Sequence, residues 1–364
     1  MKKVIQWVMA ATLVCGSSLF TACVTDNGDN PITPGVTIVI DKANFPDDNF
    51  RAFLLGQDYG KDGVLTEREI MNITEIDVYD MDISSLQGIE YFTALTVLDC
   101  DDNELTTLDI SKNTVLVKLY CSMNYLTSLD ITNNVALKRL LCYDNELTSL
   151  DVSKNTALTL LDCEENKITA LDVSMCTELE SLTCGYNELT QLDISNLTYL
   201  EDLYCNDNYL TTLDISSNPN LGDLECDDNQ LTSLDISNNP NLWLVYCDGN
   251  QLTSLDVSKN TKLECVFCDS NQLTSLDFTN NPLLNFVSLT RNKISGQNMD
   301  AIITSLAQND NPDAYIFDVI DYSEGDEENV CTKSQVAALK AKGWMPRYYN
   351  EDEGEWIEYE GSDE

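Results

Sequence analysis

The sequence has no histidine, and only 20 lysines and arginines stand against 62 aspartates and glutamates in 364 residues. The first absence removes the usual general base and the commonest metal ligand. The second argues against nucleic acid as a partner, because a phosphate backbone is met by a basic stripe and none is present. What remains is an acidic surface suited to solubility and to divalent cations. A membrane-spanning run is missing too: the apolar stretch Val4 to Leu19 is too short and is flanked like a processed leader.

What the chain has in abundance is regularity. Cys100, Cys121, Cys142, Cys163, Cys184, Cys205, Cys226, Cys247 and Cys268 recur every 21 residues without insertion or deletion. A fixed period of this length marks a solenoid, each repeat being one coil stacked on the next. Taking residues 95 to 115 as the unit, the apolar and amide positions are Leu95, Leu98, Cys100, Asn103, Leu105, Leu108, Ile110 and Asn113. This pattern resembles the leucine-rich repeat family and recurs from about 95 to 295. The resemblance implies an α/β-type solenoid that is mostly β: a parallel sheet of about ten rungs, with small α+β caps at both ends. Leu98 and Cys100 alternate with Val97 and Asp99, so each short strand turns two residues inward and its neighbours outward. With rungs about 4.8 Å apart, ten make a wall of roughly 45 Å. The Leu108-x-Ile110 alternation makes the opposite wall extended rather than helical.

The cysteine column reads as packing, since Leu289 takes its place in the last coil and small thiols fill a narrow interior. Identical inward thiols on parallel strands offer no distinct disulfide pairing and do not converge on a tetrahedral metal centre. Cys176, Cys265 and Cys331 lie outside the column, and their redox state stays open. Asn103 and its equivalents through Asn292 form a second ladder that serves the backbone at a turn. Asp109 and its equivalents through Asp277 form an outward acidic row, read as capping local amides together with Ser111; a cation along the row is the alternative.

Five segments follow. Lys2 and Lys3, the apolar run and Leu19-Phe20-Thr21-Ala22-Cys23 resemble a lipoprotein signal and lipobox over 1–22. That resemblance implies Cys23 as the lipid-bearing N-terminus; a secretory peptide cut nearby is the alternative. Residues 23–37 form a polar tether, whose acids resemble the export signal of Bacteroidetes surface lipoproteins and imply a lipid anchor in an outer membrane, facing outward. Residues 38–72 form a helical cap starting near Pro46 and Asp47. Within it, Asp58, Asp62 and Glu69 match positions one, five and twelve of an EF-hand-like calcium loop, with Gly60 where a further oxygen ligand belongs. The loop is either a single calcium-type site or an acidic turn; no other cofactor is implied. Residues 73–295 are the solenoid. Residues 296–364 form a capping module: helix from Met299, strand near Ala314 to Val319, helix opened by Thr332 and stopped at Gly343, and an aromatic hairpin about Asn350 to Gly354.

Recognition would be written on the outward positions of the sheet wall. Column 97 runs Val97, Lys118, Arg139, Leu160, Ser181, Asp202, Asp223, Leu244, Cys265, Phe286; column 99 runs Asp99, Tyr120, Leu141, Asp162, Thr183, Tyr204, Glu225, Tyr246, Phe267, Ser288. The candidate ligand-binding residues are Lys118, Tyr120, Arg139, Leu141, Tyr143, Tyr204, Trp243, Tyr246 and Phe267. Exposed aromatics on a rigid wall suit protein or glycan contact; the alternative is that flanking modules fold over the late cluster. No outward set pairs a nucleophile with a base, and the acids are too evenly spaced to single out two as a glycosidase pair. The sequence therefore points away from an enzyme and toward a binding or adhesion lipoprotein of the cell surface with a protein ligand. A glycan-capture accessory protein and a structural envelope component are the alternatives.

Overall fold

A computed structural model describes residues 37–309, 315–321, 327–350 and 354–363. The signal-peptide reading, Cys23 and nearly all of the tether lie outside the described residues.

The chain opens with β1 (Thr37–Val39), α1 (Asp48–Gly56), β2 (Val64–Thr66) and α2 (Glu67–Ile70), with β1 and β2 paired antiparallel. Asp47 caps α1 by accepting the Asn49 and Phe50 amides. Its other carboxylate oxygen accepts the Ser84 amide and hydroxyl at 2.9 Å each, which ties the helix to the first coil. Phe45, Phe50, Tyr91 and Phe92 meet edge-on or tilted at 5.8 to 6.3 Å and fill the open end of the array. The cap thus covers apolar surface that the first coil cannot cover itself.

The rungs are β3 (Glu75–Asp77), β4 (Val97–Asp99), β5 (Lys118–Tyr120), β6 (Arg139–Leu141), β7 (Leu160–Asp162), β8 (Ser181–Thr183), β9 (Asp202–Tyr204), β10 (Asp223–Glu225), β11 (Leu244–Tyr246), β12 (Cys265–Phe267) and β13 (Phe286–Ser288). They pair in parallel and in unbroken register, Val97 with Lys118, Lys118 with Arg139, and so on. After α3 (Gly296–Ser305), β14 (Ile316–Asp321), α4 (Lys333–Ala341) and β15 (Met345–Asn350), the antiparallel β16 (Glu355–Glu358) ends a 14-stranded sheet. The parallel β-solenoid of about ten rungs with small helical elements near the termini is therefore the observed fold. The opposite wall, Leu108 to Ile110 and its equivalents, carries neither helix nor paired strand.

Each rung buries its central residue, and the flanking two are half-exposed or exposed except Asp223 on β10 and Ser288 on β13, which are buried, as a three-residue rung with one inward side chain allows. Every cysteine of the column is fully buried and free. The thiol reaches up to the next coil: Cys100 Sγ lies 3.2 Å from the Tyr120 carbonyl oxygen and Cys121 Sγ 3.5 Å from that of Leu141. Burial pushes these thiols far above their usual titration range.

The asparagine ladder is fully engaged. Asn145 Nδ2 donates to the carbonyls of Cys121, Cys142 and Tyr143, and its Oδ1 accepts the Leu126 amide at 2.9 Å. One side chain thereby serves its own turn and the coil before it. Asn329, from the segment after β14, continues the ladder: its Oδ1 accepts the Ile294 amide and its Nδ2 donates to Leu289 and Val319.

Two features go beyond the sequence reading, a left-handed backbone column and the task of the second amide position, Asn113 and its equivalents. The residue before each ladder asparagine is left-handed, from Asp102 (φ 55°) through Glu165 (φ 49°) to Arg291 (φ 51°), with Gly249 (φ 58°) the one glycine among them. The second amide column, Asn113, Asn134, Asn155, Asn218, Asn239, Asn260 and Asn281, donates to carbonyls of the preceding coil. Cys176 stands in that column, its Sγ 3.6 and 3.7 Å from the Val152 and Asn155 carbonyl oxygens.

Candidate ligand-binding face

The 21-residue period stacks the outward residues of neighbouring rungs directly upon one another, so sequence columns become rows along the wall. Lys118 pairs with Arg139 and Tyr120 with Leu141 on β5 and β6. Tyr143 follows two residues later on the same alternation and is half-buried. These five sequence-predicted residues are brought together at the early end of the face.

At the late end Tyr246 and Phe267 stack at 4.0 Å with ring planes 6° apart, and Phe267 stacks on Phe286 at 4.6 Å. The Arg347 guanidinium of β15 lies 5.6 Å from both the Phe286 and Trp356 rings and is held by two bonds to Asp318, at 2.7 and 2.8 Å. The capping module therefore covers the outer end of this row, while Tyr246 and Phe267 stay half-exposed. Trp243 is not part of the stack. It precedes β11, is 43% exposed and packs over Gly222 of the previous coil.

Between these ends the face is acidic. Tyr204 donates its hydroxyl to Asp223 Oδ2 at 3.0 Å. Asp162, Asp202, Asp223 and Glu225 occupy the two outward columns of the sequence reading. A third outward column, two residues further on, holds Asp101, Glu164, Asp227, Asp248 and Asp269. Sequence reasoning took only Tyr143 from this column, because the outward columns were followed no further than the strand, although the two-residue alternation that found columns 97 and 99 extends to 101. Its members are tied along the wall: Asp101 Oδ1 accepts the Ser122 amide at 2.5 Å, and Asp269 Oδ1 accepts the Ser288 hydroxyl at 2.7 Å and the Thr290 amide at 2.6 Å.

From Leu160 to Thr290 no lysine or arginine stands in the three columns. Burial against the sheet, reinforced by neighbouring acids, pushes the Asp101 and Glu164 carboxyls up to about 7. Burial likewise raises Glu225 to about 7 and Asp162 and Asp223 to about 6, and it raises the neighbouring Asp248 and Asp269 as a pair. The opposite wall behaves otherwise. Its aspartates each accept the amide two residues on, as Asp109 does from Ser111 at 3.0 Å, and hydrogen bonding holds their carboxyls below the usual range.

The predicted calcium residues have separate local partners. Asp58 pairs with Lys61, Asp62 Oδ1 accepts the Val64 amide at 3.1 Å, and Glu69 closes a capping box on Thr66. They do not converge on one centre. Among the described residues, the trio of acids whose ligand atoms lie within 4.8 Å of one another is Asp207, Asp227 and Asp228.

No family model matches the chain. A 71-residue stretch is 41% identical to Internalin J of Listeria monocytogenes, covering 19% of this chain and 8% of the relative, so the chain spans only a small part of that protein's length. Among solved structures, the functional domain of InlJ from Listeria monocytogenes, which includes a cysteine ladder, is similar at 28% identity and a TM-score of 0.53, over 85% of this chain and 80% of that one. Internalin C2 of the same species shares the fold at 24% identity and a TM-score of 0.54, over 62% of this chain and 100% of that one. These relatives correct the compartment expected from the leader. Internalins are Gram-positive cell-surface proteins anchored to the cell wall, which overturns the expectation of a lipid-anchored outer-membrane protein. The chain is a leucine-rich-repeat-like β-solenoid similar to the bacterial internalins.

Proposed function

We propose that this chain is a cell-surface binding and adhesion protein that grips a protein ligand with the outward face of its sheet. It is a non-enzymatic protein of leucine-rich-repeat fold. The observation that carries the reading is the Tyr246–Phe267 stack, half-exposed on a wall fixed by continuous parallel pairing. Large aromatic groups held rigid lose little entropy when a partner covers them, which is what binding hot spots require.

Protein is favoured over glycan by the direction of the rings. Tyr246 and Phe267 spend their faces on each other and present their edges outward, whereas a sugar ring stacks on an open aromatic face. The early cluster adds two cations, Lys118 and Arg139, beside Tyr120 and Leu141, so the wall offers both charge signs and apolar area to one ligand surface.

The test is retention of the full chain on paired arrays of surface proteins and of glycans. Saturable retention on proteins is expected, and it should be lost when Tyr120, Tyr246 and Phe267 are changed together to Ser. Retention on sugars alone, or protein retention untouched by the triple change, would sink the reading.

A further inference from the structure

Acids outnumber bases 62 to 20 in this chain, yet two of its bases stand side by side on the wall and neither has an acid. Lys118 and Arg139 are register partners on β5 and β6, so their backbones lie about 4.8 Å apart and both side chains face outward. Among the described residues, neither side chain makes an ion pair or a hydrogen bond to the protein. Elsewhere Arg291 is held by Asp321 and Arg347 by Asp318, each at 2.7 Å. Their own column brings no relief, with Val97 on one side of the pair and Leu160 on the other. Like charges in direct register repel and cost stability.

The nearest acids of the next column are turned to their own backbone. Asp99 accepts the Asp101 amide and Asp162 the Glu164 amide, both at 3.2 Å. Burial pushes the Asp99 carboxyl up, with Asp77 and Glu75 adding to the effect, and burial raises that of Asp162 to about 6. A cation resting on either carboxylate would hold it down instead. These acids also confine the pair. Asp99 and Asp101 lie one rung before it and Asp162 and Glu164 one rung after, so the basic patch is two rungs wide, roughly 10 Å, and acidic at both ends. A long polyanion laid along the wall would cross those acids and be repelled, whereas a single carboxylate would not. Beside the cations, Tyr120 and Leu141 fill the next column and the half-buried Tyr143 the one after.

We propose that Lys118 and Arg139 form the subsite for one isolated acidic side chain, aspartate or glutamate, on the ligand protein. The guanidinium takes the carboxylate through its planar fork of donors, and the ammonium supplies a second charge. Tyr120, Leu141 and Tyr143 pack against the apolar neighbours of that side chain and keep water from the pair. This rests on the proposed protein-binding role of the face and names the partner's chemistry at its early end.

The test uses the full chain and a phage-displayed library of random twelve-residue peptides, selected on wild type after clearing on the double variant Lys118→Gln with Arg139→Gln. The enriched peptides should share one acidic residue beside apolar ones. In fluorescence anisotropy at near-physiological salt, changing that acid to its amide should weaken binding to wild type about tenfold or more, the loss expected when a charged hydrogen-bond partner is removed. The same change should weaken binding to Arg139→Gln by no more than about threefold, since the partner is already gone. Both chain variants should melt no lower than wild type, because removing a facing like charge relieves repulsion. A clearly lower melting temperature would show the pair to be partnered within the fold, and would overturn the proposal. So would peptides that share no acid, or an acid whose neutralisation costs wild type and variant alike. Binding of a heparin-derived dodecasaccharide that depends on the pair, with no acidic peptide enriched, would reassign the patch to a sulfated glycan. Protein retention that depends on Tyr246 and Phe267 but is unchanged in the double variant would leave the broader reading standing and remove this one.

Discussion

Asn166 Oδ1 accepts the Leu147 amide at 2.9 Å, one coil back, while its Nδ2 donates to the Cys142 carbonyl at 3.0 Å. A single amide thus clamps two coils, and removing it strands a buried backbone donor. Asn166→Leu is expected to destabilise the fold by about 3 kcal/mol, the cost of unmatched buried polar groups. Urea unfolding of the variant beside wild type checks this; a shift below about 1 kcal/mol would mean that the ladder is dispensable.

The left-handed column gives a prediction of opposite sign. Glu165 is exposed at φ 49°, a conformation that costs a residue with a side chain roughly 1 kcal/mol and a glycine far less. Glu165→Gly should therefore stabilise the protein by up to about 1 kcal/mol. Gly249→Glu should destabilise it, because a Cβ at φ 58° would stand 2.1 Å from Asp228 Oδ1. Matched denaturation midpoints for the two variants test the pair.

Stability should fall as pH rises through neutrality. Burial pushes the Asp101, Glu164 and Glu225 carboxyls up to about 7 and those of Asp162 and Asp223 up to about 6 in the folded chain, against about 4 for unfolded carboxyls. The folded state therefore holds more protons than the unfolded state between about 4 and 7, so this contribution is complete below about 4 and lost as pH climbs through 6 to 7. The opposite-wall row of Asp109, Asp151 and their equivalents is shifted downward, and its contribution is lost only on acidification below about 4. A melting temperature higher at pH 5 than at pH 8 is the expected outcome. The reverse order would show that the acids of the face are solvated as ordinary surface groups.

Thiol chemistry separates the column from its neighbours. Cys265 is half-buried, with its thiol pushed up to about 11, whereas the column thiols are fully enclosed. Under native conditions iodoacetamide should modify Cys265 slowly and first among the solenoid cysteines, with the column protected until the chain unfolds. Peptide mass mapping over time gives the order directly.

The repeat made most of this fold legible. Leu98 and Cys100 announced an inward pair, Asn103 a buried turn, and Asp109 a cap on Ser111, because each has a physical task that recurs identically in every coil. The face was less legible for the same reason. Tyr246 and Phe267 could be read as outward aromatics, but their mutual stacking depends on ring rotation, which no periodicity carries. Glu164 and Asp269 were missed although Tyr143 of the same column was read, because the outward columns were traced only along the strand, while the two-residue alternation continues one step beyond it. Cys176 looked like a stray thiol until the second amide column gave it a place beside Asn155.

Asn329 reaches back from the C-terminal segment to the same kind of joint that binds coil to coil. A module that ends the array by imitating its repeating bond works like a matching plug: it fits the exposed end of any coil carrying the same turn. Array length is then free to change in whole 21-residue steps, with neither cap redesigned. Removal of one full period, residues 199 to 219, would leave every inter-coil joint with a partner of the same kind, while drawing the early Lys118–Arg139 cluster and the Tyr246–Phe267 stack one rung closer together.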